Sequence, residues 1–70
     1  MIECPRCEGQ GLICVGHVKN YYFVICDECD ACWEKKEDIY QVRFKDLHDF
    51  LSSKDISFED KEVEYLDYIE

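Results

Sequence analysis

Six cysteines in seventy residues are the side chains of this sequence best equipped for chemistry, and four of them form two C-x2-C pairs. Cys4-Pro5-Arg6-Cys7 and Cys26-Asp27-Glu28-Cys29 are separated by 18 residues. That separation lies within the window of about 15–20 residues that divides the two halves of a zinc site. A C-x2-C turn presents two sulfurs to one point, about 2.3 Å from a metal, with backbone N–H groups close enough to hydrogen-bond the thiolates. Four thiolates close the coordination sphere of one Zn²⁺, so the ion neither activates water nor polarises a substrate. Its contribution is to folding. Four thiolates also accept iron, which keeps the choice of metal open.

Cys32 extends the second pair to C-x2-C-x2-C, so Cys29/Cys32 is an alternative pair 21 residues from the first. Cys26/Cys29 is preferred, because Cys26 ends a predicted strand and the shorter gap fits the window. Cys32 then reads as a spare thiol, and Cys14, flanked by Ile13 and Val15, as a small core residue. His17 and His48 lie outside ligand spacing of either pair and have no nucleophile motif beside them. Gly9-Gln10-Gly11 lacks the helix start and the Lys of a phosphate cradle. A redox-active pair would need a βαβ context, which is absent. The sequence therefore nominates no catalytic residue, and the expectation is a protein that is not an enzyme.

The elements that must position these sulfurs are short. Leu12–Val18 is apolar and β-branched and reads as a first strand, and Tyr21–Cys26 as its hairpin partner, with Lys19-Asn20 at the turn. An 18-residue connection that leaves on one strand and returns on the next brings the two cysteine pairs together. Ile39–Phe44 alternates, placing Tyr40, Val42 and Phe44 on one face of a third strand. Leu47, Phe50 and Leu51 at i, i+3, i+4 predict a short helix over 46–53, with Asp46 and Asp49 at its start and Lys54 past its end. Ser57 is a candidate cap for a second helix carrying Val63, Leu66 and Ile69, with an edge strand as the competing reading. The expected fold is small α+β: a three-stranded antiparallel sheet followed by one or two short helices. It forms a single domain of residues 1–70, in which an acidic helical tail, 45–70, packs on a metal-stapled sheet, 1–44. A chain this short gains little from apolar burial alone and needs such a staple.

Eight Lys and Arg against 17 Asp and Glu give a net charge of −9. Residues 1–26 sum to zero, so the later residues carry all of it. Such a surface repels phosphate backbones and attracts basic partners. Residues 55–70 hold seven carboxylates and one Lys, interleaved with Phe58, Tyr65 and Tyr68. Glu59, Asp60, Glu62, Glu64, Tyr65 and Asp67 are the candidate partner-binding residues, with solvation of an ordinary surface as the plainer reading. On the hairpin, Lys19, Tyr21, Tyr22 and Phe23 with Arg6 give a sparse basic–aromatic patch, the alternative being sheet-face packing. The longest apolar run, Tyr21–Cys26, is too short to span a bilayer. Met1–Pro5 has no basic n-region or apolar h-region, so no secretory signal is read there and a cytoplasmic setting is expected.

The two knuckles, with a β-hairpin approaching the second, resemble the zinc ribbon over residues 4–44. That resemblance implies Cys4, Cys7, Cys26 and Cys29 as ligands of one zinc ion. The chain departs from the ribbon pattern in having no Gly directly after either second cysteine: Glu8 and Asp30 stand there. Ile25-Cys26-Asp27-Glu28-Cys29-Asp30-Ala31-Cys32-Trp33 with its short acidic tail also resembles small bacterial zinc-ribbon immunity proteins of contact-dependent or polymorphic toxin systems. This implies a non-enzymatic protein that binds a basic protein, a toxin nuclease domain among the candidates, and blocks it. A nucleic-acid-associated zinc ribbon of transcription or RNA processing is the alternative.

Overall fold

The computed structural model describes residues 1–70. The chain enters through an N-terminal turn and forms strands β1 (Ile13–Val18), β2 (Tyr21–Cys26) and β3 (Ala31–Trp33). A 3-10 turn at Lys36–Asp38 precedes strand β4 (Lys45–Asp46) and helix α1 (Leu47–Ser52). A second 3-10 turn, Asp60–Glu62, leads into strand β5 (Glu64–Tyr68). All pairings are antiparallel, in the order β4-β3-β2-β1-β5. No helix is long and apolar enough to cross a membrane.

The hairpin forms where the sequence places it, since β-branched and aromatic residues on both strands fit a pleated, buried surface. Its register pairs Ile13 with Cys26 and Val18 with Tyr21, so Cys26 closes the second strand. Lys19 takes the left-handed turn position, at φ 54°. One face of the sheet carries Cys14, Val18, Phe23, Ile25 and Cys32 against Leu47, Phe50 and Leu51 of α1. The other carries Ile13, Val24, Cys26, Ala31 and Trp33 against Cys4 and Ile39. The central sheet thus lies between α1 and a layer made of the N-terminal turn and the 34–44 loop.

Two expectations are corrected. The third strand is not Ile39–Phe44 but Ala31–Trp33, because Asp30, at φ 60°, turns the chain back on β2 at once. Residues 35–42 wind instead into helical turns, with Gln41 N and Val42 N both donating to the Asp38 carbonyl, which removes groups a strand would need. Ile39 is buried there, while Tyr40 (73% exposed) and Val42 (54%) face solvent, so the alternation read as a half-buried face is not one. Residues 57–69, in turn, form no second helix. Ser57 caps nothing; Glu59 and Glu62 make a reciprocal capping box around the 3-10 turn. The open side of β1 then recruits Glu64–Tyr68 as a strand, the competing reading, and the sheet has five strands instead of three. Pairing to an existing edge outweighs a three-residue apolar spacing, and Leu66 is left 40% exposed.

β5 joins β1 through a bulge. Tyr65 pairs with Gly16 and Tyr68 with Cys14, so Leu66 and Asp67 together oppose Val15. The extra residue puts two tyrosines three positions apart on the same sheet face, which a regular strand of period two forbids.

Candidate metal centre

The first knuckle is a run of turns. Cys4 N–H donates to the Gly11 carbonyl (2.9 Å), Gly9 N–H to the Cys4 carbonyl (3.1 Å), and Gln10 N–H to the Cys7 carbonyl (3.2 Å). An isolated bridge between Glu3 and Leu12 clamps its base beside β1. The second knuckle continues directly from β2 into β3. Asp27 N–H donates to the Leu12 carbonyl (3.0 Å), and Asp27 Oδ1 accepts from Leu12 N–H (3.0 Å).

These elements bring together Cys4, Cys7, Cys26 and Cys29, whose sulfurs all lie within 4.8 Å of one another. Cys4 Sγ stands 3.7 Å from Cys29 Sγ, and Cys7 Sγ 3.7 Å from Cys26 Sγ. A tetrahedron with metal–sulfur bonds of about 2.3 Å has edges of about 3.8 Å, so the cross-knuckle distances match a shared ion. They are far from the S–S bond of about 2.05 Å in a disulfide. All six cysteines are free. Four sulfurs in this arrangement can hold a metal ion.

Backbone groups serve the sulfurs as well. Gly11 N–H points at Cys7 Sγ (3.2 Å), and Glu28 and Cys29 N–H at Cys26 Sγ (3.4 and 3.5 Å). Such donors spread the charge of a thiolate. In both knuckles the residue after the second cysteine is left-handed: Glu8 at φ 55° and Asp30 at φ 60°. The departure from glycine therefore leaves the backbone shape unchanged, at the steric cost that a side chain brings in this region.

Gly11 is the residue that sequence reasoning missed. A Cβ there would overlap Cys26 Sγ and lie 2.7 Å from Glu28 Cβ. Its N–H serves Cys7 and its Cα packs on Cys26, so one glycine touches both knuckles. The only advance signal was its place just before the first strand.

Burial opposes ionisation at Cys7, Cys26 and Cys29. Cys4 and Cys26 are buried, and Cys7 and Cys29 half-buried. Burial is the main cause that raises the Cys26 and Cys29 thiol pKa values. Cys7 suffers the same penalty, but hydrogen bonds with Cys4, Cys26 and the Gly11 N–H outweigh it and lower its pKa. A dication reverses this balance, because the ligands must lose their protons to bind it.

Arg6, inside the first knuckle, reaches across to the second. Its Nη1 donates to Asp46 Oδ1 (2.7 Å) and to the Cys29 carbonyl (3.2 Å), and the guanidinium lies 4.4 Å from the centre of the Phe44 ring. On the opposite flank, Tyr65 O–H donates to Asp30 Oδ1 (2.6 Å) and Tyr68 O–H to Asp27 Oδ2 (2.8 Å). The second knuckle is thereby tied to β4 through Arg6 and to β5 through its own aspartates.

Cys32 is not in the cluster. Its thiol is buried on the α1 face and donates to the Asp30 carbonyl (3.4 Å). Cys14 lies on the same face, donates to the Ile25 carbonyl (3.4 Å), and has its pKa pushed up to about 11 by burial. His17 pairs with Glu64 (3.2 Å) and stacks on Tyr22, while His48 pairs with Asp60 (3.1 Å) and lies beside Phe58. Glu59, Asp60 and Glu62 fall on the second 3-10 turn, and Glu64, Tyr65 and Asp67 on β5; all six are exposed. Three comparisons, with protein-family models, curated proteins and solved structures, return no match.

Proposed function

We propose that this chain is a zinc-stapled binding protein without catalytic activity. One Zn²⁺ on Cys4, Cys7, Cys26 and Cys29 holds the two knuckles together, and the acidic tail engages a basic protein and neutralises it, as an immunity protein does a toxin nuclease domain. The observation that carries the metal half is the pair of 3.7 Å cross-knuckle sulfur distances. A filled four-thiolate site has no open coordination position, so the ion acts on folding alone.

The partner half is supported by charge. Residues 55–70 expose a run of carboxylates among Tyr65, Tyr68 and Leu66, in a molecule of net charge −9. Such a surface steers a basic protein into contact and makes the association sensitive to salt. The test has two parts. Metal analysis of the purified protein should return one zinc per chain; none, or iron, defeats the zinc assignment. Charge reversal of Glu64 and Asp67 to Lys should weaken a salt-sensitive complex with a basic protein, ideally the product of a neighbouring gene. Binding indifferent to that reversal removes the partner half.

A nucleic-acid-binding ribbon is the second reading. One observation favours it: Tyr22 is 61% exposed beside Lys19 at the hairpin tip. Gel shifts at low salt that depend on both residues would establish it in place of the first.

A further inference from the structure

We propose that the outer edge of β5 takes up an extended basic segment of the partner as a sixth strand. This rests on reading the chain as a binder of a basic protein, and adds how the contact is made.

The sheet has two edges, and they differ in kind. β4 is two residues long and presents Lys45, the short and basic edge by which sheets discourage further pairing. β5 runs five residues, all exposed, and holds no Lys, Arg, Pro or Gly. No strand lies on its outer side. Its inner side is fixed by pairing to β1, and its tyrosines are anchored on Asp27 and Asp30, so the edge is held ready instead of forming on contact. Preorganisation of that kind lowers the ordering cost of association.

The chemistry of the occupant follows from the side chains. β5 offers Glu64 and Asp67 with exposed Tyr65, Leu66 and Tyr68, at 45%, 40% and 47%. Glu62 and Glu70 flank it; of the basic groups nearby, Lys61 pairs with Glu59 (3.2 Å), Lys36 Nζ donates to the Glu70 carbonyl (2.8 Å) and His17 lies 3.2 Å from Glu64, which leaves Asp67 and Glu62 without a basic partner. A strand alternating basic and apolar residues would match both the backbone ladder and the carboxylates, main-chain bonds giving affinity and side chains selectivity. A second copy of this chain would set Glu64 and Asp67 against their own kind, between molecules that each carry −9.

The test uses the full-length, zinc-loaded protein and two synthetic probes. One is the acetylated, amidated peptide Lys-Val-Lys-Val-Lys-Val-Lys; the other has the same sequence with every interior amide N-methylated. The plain peptide should bind and slow amide exchange within Glu64–Tyr68. The N-methylated peptide should bind at least about tenfold more weakly, since several main-chain hydrogen bonds are lost. Equal binding of the two overturns strand addition while leaving the acidic surface as a binding site. No binding of either at millimolar concentration overturns both. Protection of β5 without any peptide, in a protein that sediments as a dimer, overturns the proposal in favour of self-association.

Discussion

The two cysteine knuckles share a backbone shape yet depend on the rest of the molecule in opposite ways. The second is part of the sheet: Cys26 ends β2, Ala31 begins β3, and its aspartates hold the tyrosines of β5. The first stands outside it, joined by one isolated bridge, the bond from Ile2 N–H to the Ile69 carbonyl, a few turn hydrogen bonds, the buried Cys4 and the reach of Arg6. The difference separates two jobs. One knuckle is positioned by sheet pairing as well as by its sulfurs. On the function proposed above, the other needs a shared ion to stay, which is what a metal contributes when the unfolded chain has no preformed site.

Removing the metal should therefore break the comparison most completely. Chelation, or Cys4→Ser, is expected to abolish cooperative thermal unfolding and release the first knuckle. Amide exchange should be fastest over residues 1–11 and slowest across the hairpin. Cys14→Ala and Cys32→Ala keep the full metal content and cost about 1–3 kcal/mol as core truncations. Alkylation followed by mass spectrometry gives a second check: six cysteines protected in the loaded protein, all six modified after chelation. Preferential reactivity of Cys14 in the loaded protein would contradict its burial and its raised pKa. Next in size is Gly11→Ala. The added methyl has no space between Cys26 Sγ and Glu28 Cβ, so metal content should drop although no ligand has changed.

Much of this was legible in the sequence. The clustering of Cys4, Cys7, Cys26 and Cys29 follows from two spacings and a hairpin, both local patterns, and α1 from three apolar residues on one face. What was not legible depended on contacts distant in sequence. The Ile39–Phe44 alternation had no way to show that Asp30 would send the chain back nine residues earlier, leaving no vacancy beside β2. Val63, Leu66 and Ile69 fit a helix until β1 is seen with a free edge. Gly11 is invisible as a site residue without Cys26 next to it, and the tyrosine-to-aspartate ties exist only because a bulge turns Tyr65 and Tyr68 to one face.

Arg6 and the tyrosines sharpen the contrast with smaller effects. Arg6→Ala should lower the melting temperature and weaken metal retention, and Arg6→Lys should restore little, because ammonium cannot both fork to Asp46 and Cys29 and stack on Phe44. Tyr65→Phe with Tyr68→Phe should leave metal content intact while speeding amide exchange in β5. These tyrosines also set an alkaline limit. Burial, then the hydrogen bond to Asp30, raises the Tyr65 pKa; the bond to Asp27 raises that of Tyr68. A phenol whose pKa is higher folded than unfolded contributes stability below its unfolded value of about 10 and loses it as pH climbs through the folded one. The wild type should thus lose β5 protection above about pH 10, and the double Phe variant should show less of that dependence. Tyrosinate absorbance confined to the ordinary range in the folded protein would refute the ties.

The smallest effect tests the symmetry itself. Glu8 and Asp30 both stand left-handed where glycine would be unstrained, so relief at either position would stabilise equally if shape were all that mattered. The surroundings predict opposite signs. Glu8 is exposed and makes no side-chain hydrogen bond, so Glu8→Gly sheds a steric cost of about 1–2 kcal/mol against a backbone entropy cost of about 0.5–1 kcal/mol, a net gain of up to about 1.5 kcal/mol. Asp30 belongs to a residue type that tolerates this conformation, and it holds Tyr65 at 2.6 Å. Asp30→Gly therefore gains less and loses the tie to β5, so it should destabilise. Denaturant melts of the two zinc-loaded variants decide the matter. Equal shifts of the same sign would mean that the second knuckle takes no support from β5, and that the two knuckles differ only in which strand they precede.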